Sequence, residues 1–206
     1  MIAILDYGVG NVRSIVNMLK KIGHEGVITA DNAVIAAADK LILPGVGAFD
    51  YGMDRLREAP YFDLINQRAL EEKIPVLGIC LGAQLLMDGS EEGDTPGLGW
   101  IPGRSVRFDL NGSAQRLTVP HMGWSDVSTT REDVLFEGLE GEARFYFVHS
   151  YHLKPASEAH ILCTTEYGIP YVAGIRHGNI AGVQFHPEKS HRFGKQLLKN
   201  FVNQSA

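Results

Sequence analysis

The segment Gly78-Ile79-Cys80-Leu81-Gly82 places a cysteine between two glycines, after an apolar run and before a helical one. This is the G-x-nucleophile-x-G pattern, in which the glycines permit a tight strand-to-helix turn that presents the nucleophile above a sheet. A thiol at a helix N-terminus also meets the positive end of the helix dipole, which favours the reactive thiolate. The alternative is that Cys80 packs as a small buried hydrophobe, the usual fate of a free cysteine. The setting favours a nucleophile.

A cysteine nucleophile needs a general base, and the chain has eight histidines. His186 stands out because it follows a predicted strand over residues 180–185, and functional groups in parallel α/β sheets gather at the carboxyl ends of strands. In an extended chain, residues two apart project to the same side, about 6.5–7 Å apart at Cα. Glu188 can therefore reach back to a ring nitrogen of His186 and orient it. The alternative is a polar turn in which Pro187 ends the strand and Glu188 is solvated.

Taken together, these two segments resemble the class I, or triad, glutamine amidotransferases. The resemblance rests on the cysteine elbow at residues 78–82 followed by Gln84, and on His186-Pro187-Glu188 near the C-terminus. It implies a catalytic triad of Cys80, His186 and Glu188. In that family the cysteine attacks the side-chain amide of glutamine, the histidine moves protons and the glutamate orients the histidine. The resemblance implies that no cofactor takes part.

The resemblance extends to the segments that hold the substrate. Residues 44–49, Pro-Gly-Val-Gly-Ala-Phe, are similar to the strand that supplies the oxyanion hole in this family. Three backbone N–H groups are implied to stabilise the oxyanion: those of Val46, Gly47 and Leu81. Four residues are implied to bind glutamine: Gly47, Gln84, Ser150 and Tyr151. Two alternatives stay open, namely an ordinary turn at residues 45–47 and a plain central strand at residues 146–151.

Further segments resemble those family members that act as separate glutaminase subunits. These segments are residues 6–11, 120–124, 146–151 and 182–190. Such subunits form a heterodimer with a (β/α)8-barrel cyclase or synthase subunit and pass ammonia to it in histidine biosynthesis. Five residues match the interface with the barrel: Asn11, Met122, Trp124, Tyr146 and Lys189. The alternative for Met122 and Trp124 is core or loop packing.

One residue departs from the pattern of these subunits, because Ser125 stands where the Pro-His-Met-Gly-Trp segment commonly continues with asparagine. Paralogous glutaminases supply ammonia to barrel synthases that modify bacterial surface sugars, and the sequence leaves that alternative open. A cysteine hydrolase of another type is disfavoured by Gln84 and by the Pro-Gly-x-Gly pattern at residues 44–47. A non-catalytic scaffold is disfavoured because all three triad positions are filled.

Apolar runs and helical patterns alternate in the first half of the chain, as they do in parallel α/β folds. The predicted strands are residues 2–5, 26–29, 41–43 and 75–79. The first predicted helix is capped by Asn11 and ends at Gly23. Three further helical segments are expected at residues 50–57, 61–73 and 83–87. Crossovers of this length indicate a parallel sheet with helices on both faces.

The second half of the chain is strand-rich, with short Gly, Pro or Asn turns. The predicted strands are residues 106–110, 117–120, 144–153, 161–166, 171–176 and 180–185. His177-Gly178-Asn179 favours a hairpin between the last two strands, and a final helix is expected to start at Ser190. The predicted fold class is therefore α/β, an open, mostly parallel but mixed twisted sheet with helices on both faces. We expect a single domain over residues 1–206.

Composition excludes several classes of protein. The 206 residues carry a formal net charge of −5, without the basic character that nucleic-acid binding needs. No apolar run approaches the roughly 20 residues that span a bilayer, so we expect no membrane partner and a cytoplasmic location. Two cysteines cannot build a disulfide scaffold or a cysteine zinc site. Arg13 breaks the dinucleotide pattern after Gly8 and Gly10, and no metal motif accompanies His149 and His152, so no metal is expected.

Overall fold

The computed structural model describes residues 1–111, 117–139, 141 and 143–204. The six α-helices in this part of the chain are α1 (Val12–Lys21), α2 (Asn32–Ala36), α3 (Phe49–Glu58), α4 (Phe62–Asn66), α5 (Leu81–Leu85) and α6 (His191–Asn203). The strands are β1 (Ile2–Leu5), β2 (Gly26–Thr29), β3 (Lys40–Gly45), β4 (Val76–Cys80), β5 (Gly89–Ser90), β6 (Gly103–Arg107), β7 (His121–Thr129), β8 (Arg144–His149), β9 (Tyr151–Pro155), β10 (Ile161–Glu166), β11 (Pro170–His177) and β12 (Ile180–Val183).

One half of the sheet is parallel. Its strands follow the order β2-β1-β3-β4-β12. Strands β1, β3, β4 and β12 are buried along their whole length, which explains their near-continuous apolar sequences. In the register, Gly45 lies opposite Cys80 and Val183 lies opposite Ile79. The carboxyl ends of β3, β4 and β12 therefore meet at one edge of the sheet.

The other half of the sheet is antiparallel, apart from the short parallel pair of β5 and β6. It continues from β12 through β11, β10 and β7 to β8, while β5, β6 and β9 form a side branch. The predicted hairpin is confirmed: His177 pairs with Ile180, and Gly178 has φ +57°, a conformation suited to a tight hairpin turn. The sheet is therefore mixed.

Helices cover both faces of the sheet, as predicted. On one face α1 and α6 pack through Ile15, Leu19, Leu197 and Phe201. On the other face α3, α4 and α5 pack through a second apolar cluster that contains Met53, Leu56, Ile65 and Leu85. No helix in the described ranges is both long and apolar enough to cross a membrane.

Several predicted elements differ from the structure. The predicted strand at residues 117–120 is wrong, and the strand begins at His121 instead, since Pro120 has no N–H for a ladder. The predicted strand at 144–153 is two strands, β8 and β9, interrupted at Ser150. The strand predicted at 106–110 lies earlier, as β6, because pairing with β9 overrides the weak strand preference of Gly103 and Arg104.

The helical predictions also need correction. The segment at 61–73 is α4 followed by a π-helical turn, Gln67–Glu71. Helix α2 was not predicted, although Asp31 caps it by accepting a hydrogen bond from the backbone N–H of Ala33 at 2.7 Å. Asn11 precedes α1, but its side chain makes no capping hydrogen bond. Gly23 follows this helix at φ +82°, as a C-terminal glycine does.

Candidate active site

Cys80 occupies a strained turn between β4 and α5. Its backbone has φ +55° and ψ −111°, a conformation that is rare for a residue with a side chain. Such strain persists only where the surroundings enforce it, and it concentrates at functional sites. The Cys80 side chain is 6% exposed and lines a cavity at the carboxyl edge of the sheet. The backbone thus has the form of a nucleophile elbow.

The two glycines that flank Cys80 are required by close backbone packing. A Cβ atom on Gly82 would lie 1.9 Å from the carbonyl oxygen of Leu43 in β3. A Cβ atom on Gly78 would lie 2.8 Å from the carbonyl oxygen of Gly82. Neither position accepts a side chain without a shift of the backbone. The turn is therefore pressed against the neighbouring strand, which holds Cys80 in place.

His186 and Glu188 contact each other directly. The Nδ1 atom of His186 lies 2.8 Å from Oε1 of Glu188, and both side chains are 2% exposed. The predicted contact is present, but the backbone is not extended as the prediction assumed. Residues Pro187–Lys189 form a 3-10 turn directly after His186, and this turn brings the carboxylate of Glu188 to Nδ1 of the His186 ring.

The electrostatics around His186 favour its protonated form. Burial lowers the pKa of His186, but the negative charges of Cys80 and Glu188 and the hydrogen bond to Glu188 raise it, and the balance is a pKa raised to about 9. Nε2 of His186 is buried and has no hydrogen-bond partner of ordinary geometry among the described residues. An imidazolium with one nitrogen held by Glu188 and the other free toward the Cys80 side is arranged for proton transfer.

Gln184 is a polar residue of this site that the sequence analysis missed. It is fully buried just beyond the end of β12, and its Nε2 donates to Sγ of Cys80 at 3.8 Å. Its Oε1 accepts from Nε2 of Gln84 at 3.1 Å, and the same Gln84 nitrogen donates to the carbonyl oxygen of Tyr151 at 3.0 Å. A glutamine directly after an otherwise apolar strand was the available signal.

The cavity at Cys80 has a volume of about 320 Å3, enough for one amino acid. Its lining brings together most of the predicted site residues: Val46, Gly47, Cys80, Leu81, Gln84, Ser150, Tyr151 and His186. Glu188 lies behind His186 and does not belong to the lining. A larger cavity of about 670 Å3, between Val127 and Ala143, contains none of the predicted site residues.

Glu92 contributes the acidic group of this cavity. It is the one carboxylate among the described lining residues, and its Oε2 accepts from the backbone N–H of Phe49 at 2.9 Å. The loop that carries it is tied to α3 by Asp50, which accepts from the N–H groups of Asp94 and Thr95. The local sequence gives no signal for Glu92, because tertiary folding of this loop brings it to the cavity.

The segment from the end of β3 to Gly47 is held by a hydrogen bond at Pro44 and is exposed to solvent at Val46. The hydroxyl of Tyr7 donates to the carbonyl oxygen of Pro44, while Val46 is 43% exposed. Gly47 has φ +104°, and a Cβ atom there would meet nothing within 4 Å. Glycine is therefore needed at position 47 for its backbone conformation and not for lack of space. The oxyanion roles of Val46, Gly47 and Leu81 remain predictions.

A surface patch of aromatic residues adjoins the cavity. Met122 is 62% exposed and Trp124 is 36% exposed on one face of β7, and Trp124 lies opposite Tyr146 on β8. We call this surface the aromatic patch, which consists of Met122, Trp124, Tyr146, Lys189 and His191. Lys189 Nζ lies 5.6 Å from the Tyr146 ring centroid, and His191 stacks on Trp124 at 5.3 Å.

The aromatic patch contains four of the five predicted interface residues. Met122 pairs with Val148, a cavity-lining residue, so the patch and the cavity are continuous. The fifth residue, Asn11, is exposed at the start of α1, which packs beside the Pro187–Lys189 turn. Lys189 of the patch belongs to the same turn, so both the patch and the helix that begins after Asn11 contact the Pro187–Lys189 segment.

No group of three or more metal-ligating side chains occurs within the described part of the chain. His149 and His152 pack instead against Phe108, with ring centroids 5.2 and 5.0 Å away. His149 is buried, and burial, the largest cause, lowers its pKa to about 3. These rings serve packing and hydrogen bonding.

Comparison with protein families gives one matching family. The family described as "Glutamine amidotransferase class-I" matches residues 3–205. Among curated proteins, the chain is 49% identical to "Imidazole glycerol phosphate synthase subunit HisH 2" of Methanococcus maripaludis, with 100% of both chains covered. It is 48% identical to the subunit of the same name in Pseudomonas aeruginosa, with 98% of both chains covered.

A solved structure supports the fold independently. The chain is similar to the structure described as PurLQS from Thermotoga maritima, with a TM-score of 0.73 and 19% identity. The similarity covers 98% of this chain and 97% of that one. At this level of identity the likeness concerns the fold alone.

Proposed function

Because this chain belongs to the class I glutamine amidotransferase family, we propose that it hydrolyses glutamine at Cys80 as the glutaminase subunit of an imidazole glycerol phosphate synthase. The observation that carries the proposal is the strained Cys80 elbow beside a buried His186 that is held by Glu188. The names of the full-length relatives support the same subunit assignment. The pathway would then be histidine biosynthesis.

In the first step, Cys80 attacks the side-chain amide carbon of glutamine. A carbon–sulfur bond forms, and the amide oxygen becomes an oxyanion that backbone N–H groups of Val46, Gly47 and Leu81 stabilise. The proton on Nε2 of His186 passes to the amide nitrogen, the carbon–nitrogen bond breaks and ammonia leaves. The pKa of His186, raised to about 9, keeps that proton available at neutral pH.

In the second step, water hydrolyses the glutamyl thioester. His186, now neutral, takes a proton from water, and the hydroxide attacks the thioester carbon. The carbon–sulfur bond breaks, glutamate leaves, and the thiolate of Cys80 and the imidazolium of His186 are restored. Glu188 holds the ring in one orientation in both steps. The amide of Gln184, 3.8 Å from Sγ, offers a hydrogen bond to the thiolate.

The cavity offers complementary groups for a free amino acid. A glutamine substrate carries an ammonium group, and Glu92 is the matching carboxylate in the lining. The side chain of the glutamine substrate would lie along Gly47, Gln84 and the backbone of Ser150 and Tyr151. A cavity of about 320 Å3 suits one free amino acid, and the carboxylate of Glu92 suits its ammonium group. Both features support glutaminase activity.

The ammonia is transferred to a second subunit, which we propose is a (β/α)8-barrel cyclase. The aromatic patch and Asn11 form the docking surface in this proposal. An exposed tryptophan and methionine beside a half-buried tyrosine are typical of protein interfaces. Continuity of the patch with the cavity through Val148 gives released ammonia a short route to the partner.

The test is glutamate release from glutamine by the purified chain, alone and with the histidine-pathway barrel subunit and its nucleotide ligand. We expect strong stimulation by the barrel with its ligand, and no activity in Cys80→Ala. Failure of every combination to release glutamate would overturn the proposal. If glutamine is hydrolysed at the same rate with and without this barrel subunit, Cys80 would still be the nucleophile, but the partner would be a different synthase.

A further inference from the structure

A continuous chain of side-chain hydrogen bonds runs from strand β7 to the wall of the cavity. Oγ of Ser125 lies 3.0 Å from Nε2 of His121, and Nδ1 of His121 lies 2.8 Å from the hydroxyl of Tyr171. The same hydroxyl lies 3.1 Å from Nε2 of His149. Nδ1 of His149 lies 2.8 Å from the carbonyl oxygen of Tyr151, which the cavity lining includes.

The donor and the acceptor of each hydrogen bond in this series can be assigned by starting from the carbonyl oxygen of Tyr151, its last acceptor. A carbonyl oxygen only accepts, so Nδ1 of His149 donates to Tyr151. Burial lowers the pKa of His149 to about 3 and that of His121 to about 4, so both rings are neutral. Nε2 of His149 therefore accepts from the Tyr171 hydroxyl, whose oxygen accepts from Nδ1 of His121. Nε2 of His121 then accepts from the hydroxyl of Ser125.

Aromatic rings packed on His121 and Tyr171 hold these hydrogen-bonded side chains in place. The His121 ring lies between Phe147 and Tyr167, with centroid distances of 4.9 and 4.0 Å and interplanar angles of 14° to each. The ring of Tyr171 meets Phe108 edge to face at 5.0 Å. His121 and Tyr171 are 2% and 4% exposed. A buried hydrogen-bonded network of this kind is rigid because each unpaired member would carry a desolvation penalty.

This series of hydrogen bonds cannot conduct protons to the substrate, because it ends on the carbonyl oxygen of Tyr151, which has no proton to pass on. Its end at Tyr151 suggests that it positions the backbone of the cavity wall instead. The Tyr151 carbonyl accepts from both His149 and Gln84, and it lies just after Ser150, where the strand is interrupted between β8 and β9. The bonds from these two side chains fix the backbone that lines the cavity.

The other end of this series of hydrogen bonds is Ser125, which lies on strand β7 together with Met122 and Trp124 of the aromatic patch. Met122 and Trp124 point outward from β7, whereas His121 and Ser125 lie on its inner face, as strand alternation requires. Ser125, the residue that departs from the family pattern, therefore points away from the patch and is hydrogen-bonded to His121. A shift of β7 would reach the cavity wall through the contact of His121 with Tyr171, which joins β7 to β11.

We propose that Ser125, His121, Tyr171 and His149 form a positioning relay, which sets the Ser150–Tyr151 backbone for glutamine binding and ties it to the partner-facing strand β7. The relay rests on the proposed glutaminase function of the Cys80 site. Its members lie outside the proposed triad of Cys80, His186 and Glu188, although the His149 ring is part of the cavity lining. Their effect is on glutamine affinity, through Tyr151 and Gln84.

The first test is Tyr171→Phe, which removes the central hydroxyl and keeps the ring. We expect the KM for glutamine to rise about tenfold with a smaller change in kcat, since the cavity wall loses its alignment. The matched control is Tyr167→Phe, which removes a hydroxyl that donates to the Thr118 carbonyl at 2.8 Å but keeps the ring on His121. The control should keep the wild-type KM.

The second test asks whether the relay acts as one unit. Ser125→Ala should raise KM, Ser125→Thr should restore it, and the double variant Ser125→Ala with Tyr171→Phe should be no worse than Tyr171→Phe alone. Additive effects would indicate separate structural contributions and overturn the relay. An unchanged KM in Tyr171→Phe would overturn it as well.

The third test does not depend on activity. Nitrogen-15 NMR of histidine should find His121 and His149 neutral with the proton on Nδ1, down to about pH 5. The Nε2-protonated form in either ring would overturn the relay. If wild-type protein with its barrel fails to hydrolyse glutamine while these tautomers are present, the proposed function fails and the hydrogen-bond geometry stands.

Discussion

His186 and Glu188 are joined by a 2.8 Å contact across a single 3-10 turn, with both side chains buried. The turn brings the carboxylate to Nδ1 and leaves Nε2 free on the side of Cys80. The two residues are close in sequence, and the backbone N–H of His186 ties their turn to β8 by donating to the carbonyl oxygen of Tyr146 at 2.9 Å. In the proposed mechanism the chemistry at Cys80 depends on this contact, which a single substitution can alter.

Glu188→Gln should lower kcat by about 10²- to 10⁴-fold, because it removes the charge that stabilises the imidazolium. The pKa of His186 should fall from about 9, so the alkaline limb of the pH profile of kcat/KM should move to lower pH. Steady-state kinetics between pH 6 and pH 10 measure both effects. Glu58→Gln, which alters an exposed ion pair with Arg55, is the control.

The same pair sets how stability depends on pH. The folded-state pKa of His186 is raised to about 9 from an ordinary 6.5, so its contribution to stability is full below pH 6.5 and is lost as pH rises through 9. Glu188→Gln should flatten that decline in a urea titration series. An equally steep decline in the variant would contradict the role of Glu188 in holding the proton.

Gly47→Ala should lower kcat/KM by at least about tenfold. Alanine disfavours φ +104°, so the backbone of residues 44–47 would adopt a different conformation. Gly23→Ala is the matched control, because it also has positive φ and open space but lies beyond α1, away from the cavity. Both variants should lose about 1 kcal/mol of stability. Equal kinetic losses in the two variants would refute a role for Gly47 in the site.

Glu92→Gln should raise the KM for glutamine about tenfold and leave kcat nearly unchanged, because the carboxylate acts in binding alone. The amide keeps an oxygen that can accept from the N–H of Phe49, so the loop should stay in place. A glutamine analogue without its α-amino group separates the effects. Its hydrolysis should be equally poor in wild type and variant, and a large difference would argue against an ammonium contact.

Trp124→Ala should weaken binding of the barrel subunit by about tenfold or more and reduce stimulated hydrolysis, because exposed tryptophans contribute strongly to interfaces. Tyr51→Ala is the control, since Tyr51 is 57% exposed on α3, on the opposite face of the sheet. Titration of the barrel into each variant gives the affinities. Unaltered affinity in Trp124→Ala would exclude the aromatic patch as the docking surface.

The parts of the site that the sequence predicted are local. The Cys80 elbow could be inferred because its glycines and its flanking strand and helix are consecutive, and the structure shows why those glycines are needed. The contact between His186 and Glu188 could be inferred from their spacing, although the 3-10 turn could not. The parallel strands were visible because burial on both faces makes their sequences continuously apolar.

The parts that the sequence did not predict depend on tertiary contacts. Strand β7 contains Gly123, Ser125 and Asp126, residues with weak strand preference, and its pairing with β8 and β10 overrides that preference. Glu92 reaches the cavity through a loop anchored far away in sequence. Tyr171 and His121 lie 50 residues apart, and only the folded sheet brings them together.

The most direct test of the proposed function is covalent labelling of the protein, with the proposed barrel subunit present, by a chloromethyl ketone derived from glutamine. The sequence has two cysteines, Cys80 and Cys163, and Cys163 is fully buried with its thiol pKa raised by burial. Intact mass and peptide mapping should show one adduct, on Cys80, whose formation is slowed by glutamine and lost in Cys80→Ala. Labelling of Cys163, or no labelling at all, would contradict the central claim that Cys80 is the nucleophile of a glutamine site.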